Sequence, residues 1–160
     1  MVKMYTDGAV SNNGYENAMG GCAYLILKDE EITFSHGWAL PQSTNNECEM
    51  MAIIRGCQRI EKEYPSESKI EVYSDSAYCI NCYKQQWYKK WMVNGWINSK
   101  NQPVKNKELW ELLIPFFEDE RFTFIKVKGH SNDEYNNMVD KMAVEARLIQ
   151  NWVNNKRCEE

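Results

Sequence analysis

Apolar residues follow two different rhythms along this chain. Residues 2–8 form a β-prone run closing on Asp7-Gly8, and Met19–Lys28 alternates Cys22, Tyr24 and Ile26 with the period of a half-buried strand. Residues 32–40 read as a third strand. A loop over 10–17, rich in Asn, Ser and Gly, and a turn at Asp29-Glu30-Glu31 make an antiparallel meander of the three. The period then changes. Thr44-Asn45-Asn46-Glu47 matches a capping box. Met50, Ile53, Ile54, Cys57 and Tyr64 follow at helical spacing, and Tyr64-Pro65 ends that helix. Residues 69–75 read as strand four, with Ser76 as cap of the next helix. The stretch 77–107 is predicted helical in its first half and broken at Gly95 and Pro103. Asn106 is expected to cap Lys107–Phe117, whose inward positions are Leu109, Leu112 and Leu113. Phe122, Phe124 and the pair Ile125/Val127 mark a fifth strand over 121–128. A polar loop covers 129–137, and a last helix over 138–153 turns Val139, Met142, Ala143, Ala146, Ile149 and Val153 inward.

The order β-β-β-α-β-α-α-β-α predicts an α/β fold, a mixed sheet with helices on its faces. At 160 residues one domain is expected, over 1–152, with 153–160 as a frayed tail because the pattern is lost from Asn151. No apolar run is long enough to span a membrane, and no leader pattern precedes the first strand, so a cytoplasmic location is expected. That compartment makes the six cysteines (Cys22, Cys48, Cys57, Cys79, Cys82, Cys158) reduced core thiols. Cys79 and Cys82 form a lone CxxC with no second pair, which argues against zinc.

Charge changes the picture. The net charge is −4, yet residues 77–107 contain no Asp or Glu and six lysines: Lys84, Lys89, Lys90, Lys100, Lys105 and Lys107. The rest of the chain therefore carries −4 − 6 = −10. A basic segment laced with Tyr78, Tyr83, Trp87, Tyr88, Trp91 and Trp96, opposite an acidic remainder, is the pattern of a polyanion binder with a separate acidic centre.

Four acids stand where such a centre could form. Asp7 ends strand one and Asp75 ends strand four, so adjacent parallel strands would bring both to one sheet edge. Glu49 lies one turn into the first helix and Asp140 in the first turn of the last. Converging carboxylates raise one another's pKa, and hard divalent cations relieve the repulsion. Each acid also has a plainer reading: a turn residue at Asp7, a solvated glutamate at Glu49, a helix opener at Asp75, a dipole-complementing residue at Asp140. Spacing alone leaves both open.

The segments Tyr5-Thr6-Asp7-Gly8-Ala9, Thr44-Asn45-Asn46-Glu47-Cys48-Glu49-Met50-Met51-Ala52, Tyr73-Ser74-Asp75-Ser76, and Val127-Lys128-Gly129-His130 with Asp140-Lys141-Met142-Ala143 resemble type 1 ribonuclease H in order and spacing, over roughly residues 2 to 150. Gln86-Trp87, Trp91, Gly95-Trp96 and the run from Pro103 to Trp110 follow that family's basic protrusion. The resemblance implies a five-stranded mixed sheet of order 3-2-1-4-5, strands 1–3 antiparallel and strands 1, 4 and 5 parallel. It implies endonucleolytic hydrolysis of the RNA strand of RNA–DNA hybrids, leaving 5′-phosphate and 3′-hydroxyl ends. It further implies two Mg²⁺ ions, replaceable by Mn²⁺, held by Asp7, Glu49, Asp75 and Asp140. His130 would aid proton movement or product release, whereas His36 reads as structural or surface. Asn13 and Asn45 would reach the hybrid's minor groove, and Thr44 and Asn106 a DNA-strand phosphate. Trp87 and Trp91 would form a channel for deoxyribose, with Lys84, Lys89 and Lys90 drawing phosphates.

The chain departs from the family pattern in places. Met92, Val93 and Asn94 occupy a segment often cationic there; Gln42 replaces a phosphate-binding arginine, and Ala77 a longer polar side chain. These affect affinity rather than chemistry. Asp133-Glu134-Tyr135 adds negative charge beside His130. A monomer is expected, without membrane association, and the sequence leaves open partners such as a single-strand-binding protein. Rival readings are another nuclease or polynucleotidyl transferase on the same sheet, such as a reverse-transcriptase ribonuclease H domain, a non-catalytic hybrid-binding module, and a metal-stabilised structural domain. Retention of all four acids and the aromatic lysine segment weigh against the last two.

Overall fold

The computed structural model describes residues 1–13, 15, 17–128 and 133–159, with side chains described through residue 148. Its sheet has the order β3-β2-β1-β4-β5. The strands are β1 (Val2–Ser11), β2 (Met19–Lys28), β3 (Glu31–Pro41), β4 (Ile70–Ser74) and β5 (Phe122–Lys126). β1 pairs antiparallel with β2 and parallel with β4; β2–β3 is antiparallel and β4–β5 parallel. The expected five-stranded mixed sheet is the one found.

β1 differs from the expectation in length. It runs past Asp7-Gly8 to Ser11, because β2 continues to pair with it down to Ser11↔Met19. Val10 and Ser11 read as loop only because the Asn- and Gly-rich residues that follow them set the pattern of 10–17. β4 leaves earlier, its ladder with β1 closing at Tyr5↔Tyr73. The β2–β3 turn is tight, with Asp29 and Glu30 both at positive φ (50° and 70°), the backbone of a two-residue type I′ hairpin. Aspartate tolerates that conformation, whereas glutamate does not favour it. The turn is held by the Met1 amino group on Asp29 at 3.1 Å and Lys3 on Glu30 at 2.9 Å.

Helix α1 (Asn45–Glu63) lies on one face of the sheet and buries Met50, Ile53, Ile54, Cys57 and Ile60 against Val2, Met4, Tyr24, Ile26 and Val72. Burying one such isoleucine stabilises the fold by about 1.5–3 kcal/mol. On the other face α5 (Glu134–Glu159) packs Val139 and Ala143 on Tyr5, Ala23, Leu25 and Leu27. α5 starts before the expected Met138, because Asp133 Oδ1 accepts the amide protons of Tyr135 (3.0 Å) and Asn136 (3.3 Å). Asp140 therefore sits in its second turn, outside the end region where a helix dipole acts strongly.

The lysine-rich stretch is two helices, α2 (Ala77–Gln85) and α3 (Trp87–Asn94), divided at Gln86 with φ 56°. Gly95, at φ 81°, ends α3 as expected, in a conformation that suits glycine. α4 (Lys107–Phe117) follows, with Trp110 and Leu113 fully buried but Leu112 exposed. Asn106 holds the cap position without capping; its Nδ2 instead donates to Tyr78 Oη at 3.3 Å. The five described cysteines are buried and free. No helix among the described residues is long and apolar enough to cross a membrane.

Candidate active site

The site forms where β4 stops and β1 does not. Asp7 lies two residues past the last β1–β4 pair, still fixed on its other side by Asp7↔Ala23. Asp75 is the first residue after β4 and is bracketed by two serines. Ser74 Oγ accepts from Ser76 N at 3.1 Å, and Ser76 Oγ accepts from Cys79 N at 3.2 Å as cap of α2. Glu49 comes from α1, whose start is fixed by Thr44. Thr44 Oγ1 accepts from Glu47 N and donates to Glu47 Oε1, both at 3.2 Å. The capping box thus closes partly side chain to side chain.

Gly8 lets α1 approach. A Cβ there would lie 2.6 Å from the Cys48 carbonyl carbon and the Glu49 nitrogen. The Asp-Gly pair is a close-approach site rather than a turn. As a result, carboxylate oxygens of Asp7, Glu49 and Asp75 lie within 4.8 Å of one another. Asp7 and Glu49 are almost wholly buried, while Asp75 is half-buried. Asp140 joins from α5 through a hydrogen bond with Asp7. The four predicted carboxylates therefore meet, three as one cluster and the fourth by way of Asp7.

Burial, the hydrogen bond with Asp140 and the charge of Asp75 push the Asp7 carboxyl up to about 8. Glu49 is raised well above the usual carboxylate range by burial first, then by Asp7 and Asp75. Glu49 Oε2 is buried and has no hydrogen-bond partner. Crowded oxygen donors with an orphaned carboxylate oxygen fit a hard divalent cation, which would satisfy that oxygen and offset the repulsion.

The other predicted residues sort into places. Asn13 Oδ1 accepts from Asn45 N at 3.0 Å, so these two meet beside the start of α1. Trp87 and Trp91 are neighbours, ring centres 6.3 Å apart, and line a groove of about 410 Å³ with Lys90, Ile97, Asn98 and Ser99. An adjoining groove adds Tyr78, Val104 and Lys105. Lys89 is exposed on the same helix. Lys84 does not join them; it lines a separate groove with Glu118, Asp119 and Glu120. His130 lies outside the described residues. Sequence reasoning missed Tyr78, Ile97, Asn98 and Val104 as groove residues, because the Ile97↔Pro103 bridge that folds 97–104 back has no periodic signal. It also missed Asp133, whose capping role a helix-start search at 133 would have found.

A mixed sheet of this order, with acids from β1, α1 and the β4 end clustered at one edge, defines an α/β domain carrying a candidate metal centre. The RNase H family model matches residues 1–147. A ribonuclease H of Clostridium botulinum is 41% identical over 145 residues, covering 91% of this chain and 94% of its own length. That of Chlorobaculum parvum is 39% identical over 142 residues, covering 89% and 92%. In fold the chain is similar to a foamy viral protease-reverse transcriptase solved with an RNA/DNA hybrid, at TM-score 0.78 and 17% identity, covering 91% of this chain and 20% of that one. This chain belongs to the ribonuclease H family.

Proposed function

We propose that the chain is a metal-dependent endoribonuclease that hydrolyses the RNA strand of RNA–DNA hybrids, leaving 5′-phosphate and 3′-hydroxyl ends. The observation that carries this reading is the meeting of Asp7, Glu49 and Asp75 within 4.8 Å, in a chain of this family. Asp7, Glu49, Asp75 and Asp140 would hold two Mg²⁺ ions, with Mn²⁺ able to substitute. When bound, such a pair supplies an activated water for attack on phosphorus and stabilises the leaving 3′-oxygen.

The protein's own groups position the substrate. Asn13 and Asn45, tied together at the start of α1, offer amides to the minor groove, where the 2′-hydroxyl separates RNA from DNA. Thr44 and Asn106 would hold a DNA-strand phosphate. The Trp87–Trp91 groove takes deoxyribose, with Lys89 and Lys90 beside it and Lys84 acting at longer range. His130 would assist proton movement or product release. The chain would act as a monomeric catalytic domain over 1–152 in a cytoplasmic compartment.

Labelled RNA–DNA hybrid, double-stranded RNA and double-stranded DNA, each incubated with Mg²⁺, Mn²⁺ or EDTA, test the reading. Cleavage is expected only in the RNA strand of the hybrid, and not in EDTA. Cleavage of duplex RNA, or activity surviving EDTA, would overturn it.

A further inference from the structure

Away from the carboxylates, a second groove of about 440 Å³ runs between the flank of α1 and the outer half of the sheet. Its floor is aromatic. His36 and Trp38 stack with ring centres 5.2 Å apart and planes 21° from parallel, and Tyr24 meets both edge-on at 6.1 and 5.9 Å. Its wall is cationic, formed by Arg55, Arg59 and Lys62 on one side of α1. At a rise of about 1.5 Å per residue these three span ~10 Å, the axial length of about three stacked nucleotides. Arg59 is fixed, its guanidinium 4.3 Å over Phe34 and its Nε 3.3 Å from Glu63. Arg55 and Lys62 are exposed and have no ion-pair partner among the described residues. Among the described residues no carboxylate lines the groove itself, Glu63 reaching only Arg59 at its edge, in a chain of net charge −4.

We propose that this β3–α1 groove is a second nucleic-acid site, which binds an unpaired strand by stacking a base on the His36–Trp38 platform and neutralising its phosphates with Arg55, Arg59 and Lys62. Three observations select this occupant. A base can extend the His36–Trp38 stack while its phosphates meet the row of cations beside it, and base–aromatic stacking is tolerant of sequence. A duplex hides its base faces, so the platform selects unpaired nucleotides. An acidic peptide would use the cations but leave the stacked rings without a role. The groove also opens at the height of the carboxylates. Trp38 pairs with Cys22 and Cys22 with Gly8, so the Trp38 backbone is two strand spacings, ~10 Å, from the residue beside Asp7. The site is independent of the cleavage reading and is tested by binding alone.

The test is fluorescence anisotropy of labelled oligothymidylate with the full chain in EDTA. A Trp87→Ala background removes the first groove's contribution. Adding Arg55→Gln and Lys62→Gln is expected to make the salt dependence shallower by about 1.4, or ~0.7 for each lost phosphate contact. Trp38→Ala should weaken binding at least about fivefold. His36→Ala, at an exposed position, should weaken it in the same direction and keeps the stacking arm readable if Trp38→Ala misfolds, as judged by circular dichroism. Binding indifferent to the groove substitutions would overturn the proposal. So would a loss with the charge substitutions alone, which would mark the groove as a site for acidic ligands instead.

Discussion

Replacing Asp7 by Asn should abolish cleavage and, in the absence of metal, make the protein more stable. On folding, the Asp7 carboxyl moves from 3.8 to about 8, chiefly through burial. For an acid raised in this way the native state keeps a proton that the unfolded chain releases. The folded form is therefore favoured below the lower value and loses ground as pH rises towards the upper one. The loss is ~1.4 kcal/mol per pH unit, so at neutral pH about three units cost ~4 kcal/mol. That is a large share of the roughly 5–15 kcal/mol by which domains are stable. Asparagine has nearly the same shape and never carries the charge. Urea unfolding in EDTA should show the variant gaining little at about pH 4, ~4 kcal/mol at about pH 7 and ~5 kcal/mol by about pH 8, with an unchanged m-value. Saturating Mg²⁺ should close the gap by stabilising only the parent. A gap that is independent of pH, or of opposite sign, would refute the view that Asp7 is held in a destabilising environment.

The same crowding predicts that Mg²⁺ binding at neutral pH expels at least about one proton, since the ligands must be deprotonated. Titration calorimetry in buffers of different ionisation enthalpy measures this, and release near zero would contradict the raised Asp7 and Glu49. Trp87→Ala should raise KM severalfold while kcat at saturating hybrid is kept, because the tryptophan lines a groove away from the carboxylates; an unchanged KM would remove it from substrate binding. Gly8→Ala should cost about 1–3 kcal/mol and weaken Mg²⁺ binding, because the added Cβ must displace backbone at Cys48 and Glu49. Unfolding and metal titration of this one variant check both effects, and wild-type metal affinity would dissociate the glycine from the site.

The sheet was legible because each strand and long helix carries its own period. Met19–Lys28 matches to the residue, and the capping residue Thr44 marks the start of α1. What was not legible has a common cause: it depends on contacts remote in sequence. The extension of β1 to Ser11 is made by pairing with Met19 and its neighbours, and the Asn- and Gly-rich residues just beyond it read as a loop from Val10 onward. The break at Gln86 requires a positive φ at a residue with no preference for it. Asn106 stands where a cap should be, but tertiary placement turns its amide to Tyr78.

For the site, chemistry was more legible than mechanics. The four acids follow from residue type and order, whereas their convergence rests on two features that sequence reading did not anticipate. One is Gly8, which admits the backbone of α1. The other is the unequal length of the ladders beside β1. Had β1 ended at Asp7, the carboxylate would sit on a free strand end and its position would depend on a loop. Because β2 carries the pairing four residues further, Asp7 is held by Asp7↔Ala23 while its β4 side is open to Asp75. A rigid strand thus carries a strongly perturbed carboxylate, and the adjustable choices fall to the side chains around it. That arrangement sustains a cluster costing several kcal/mol without metal, because the sheet, rather than the site, supplies the stability.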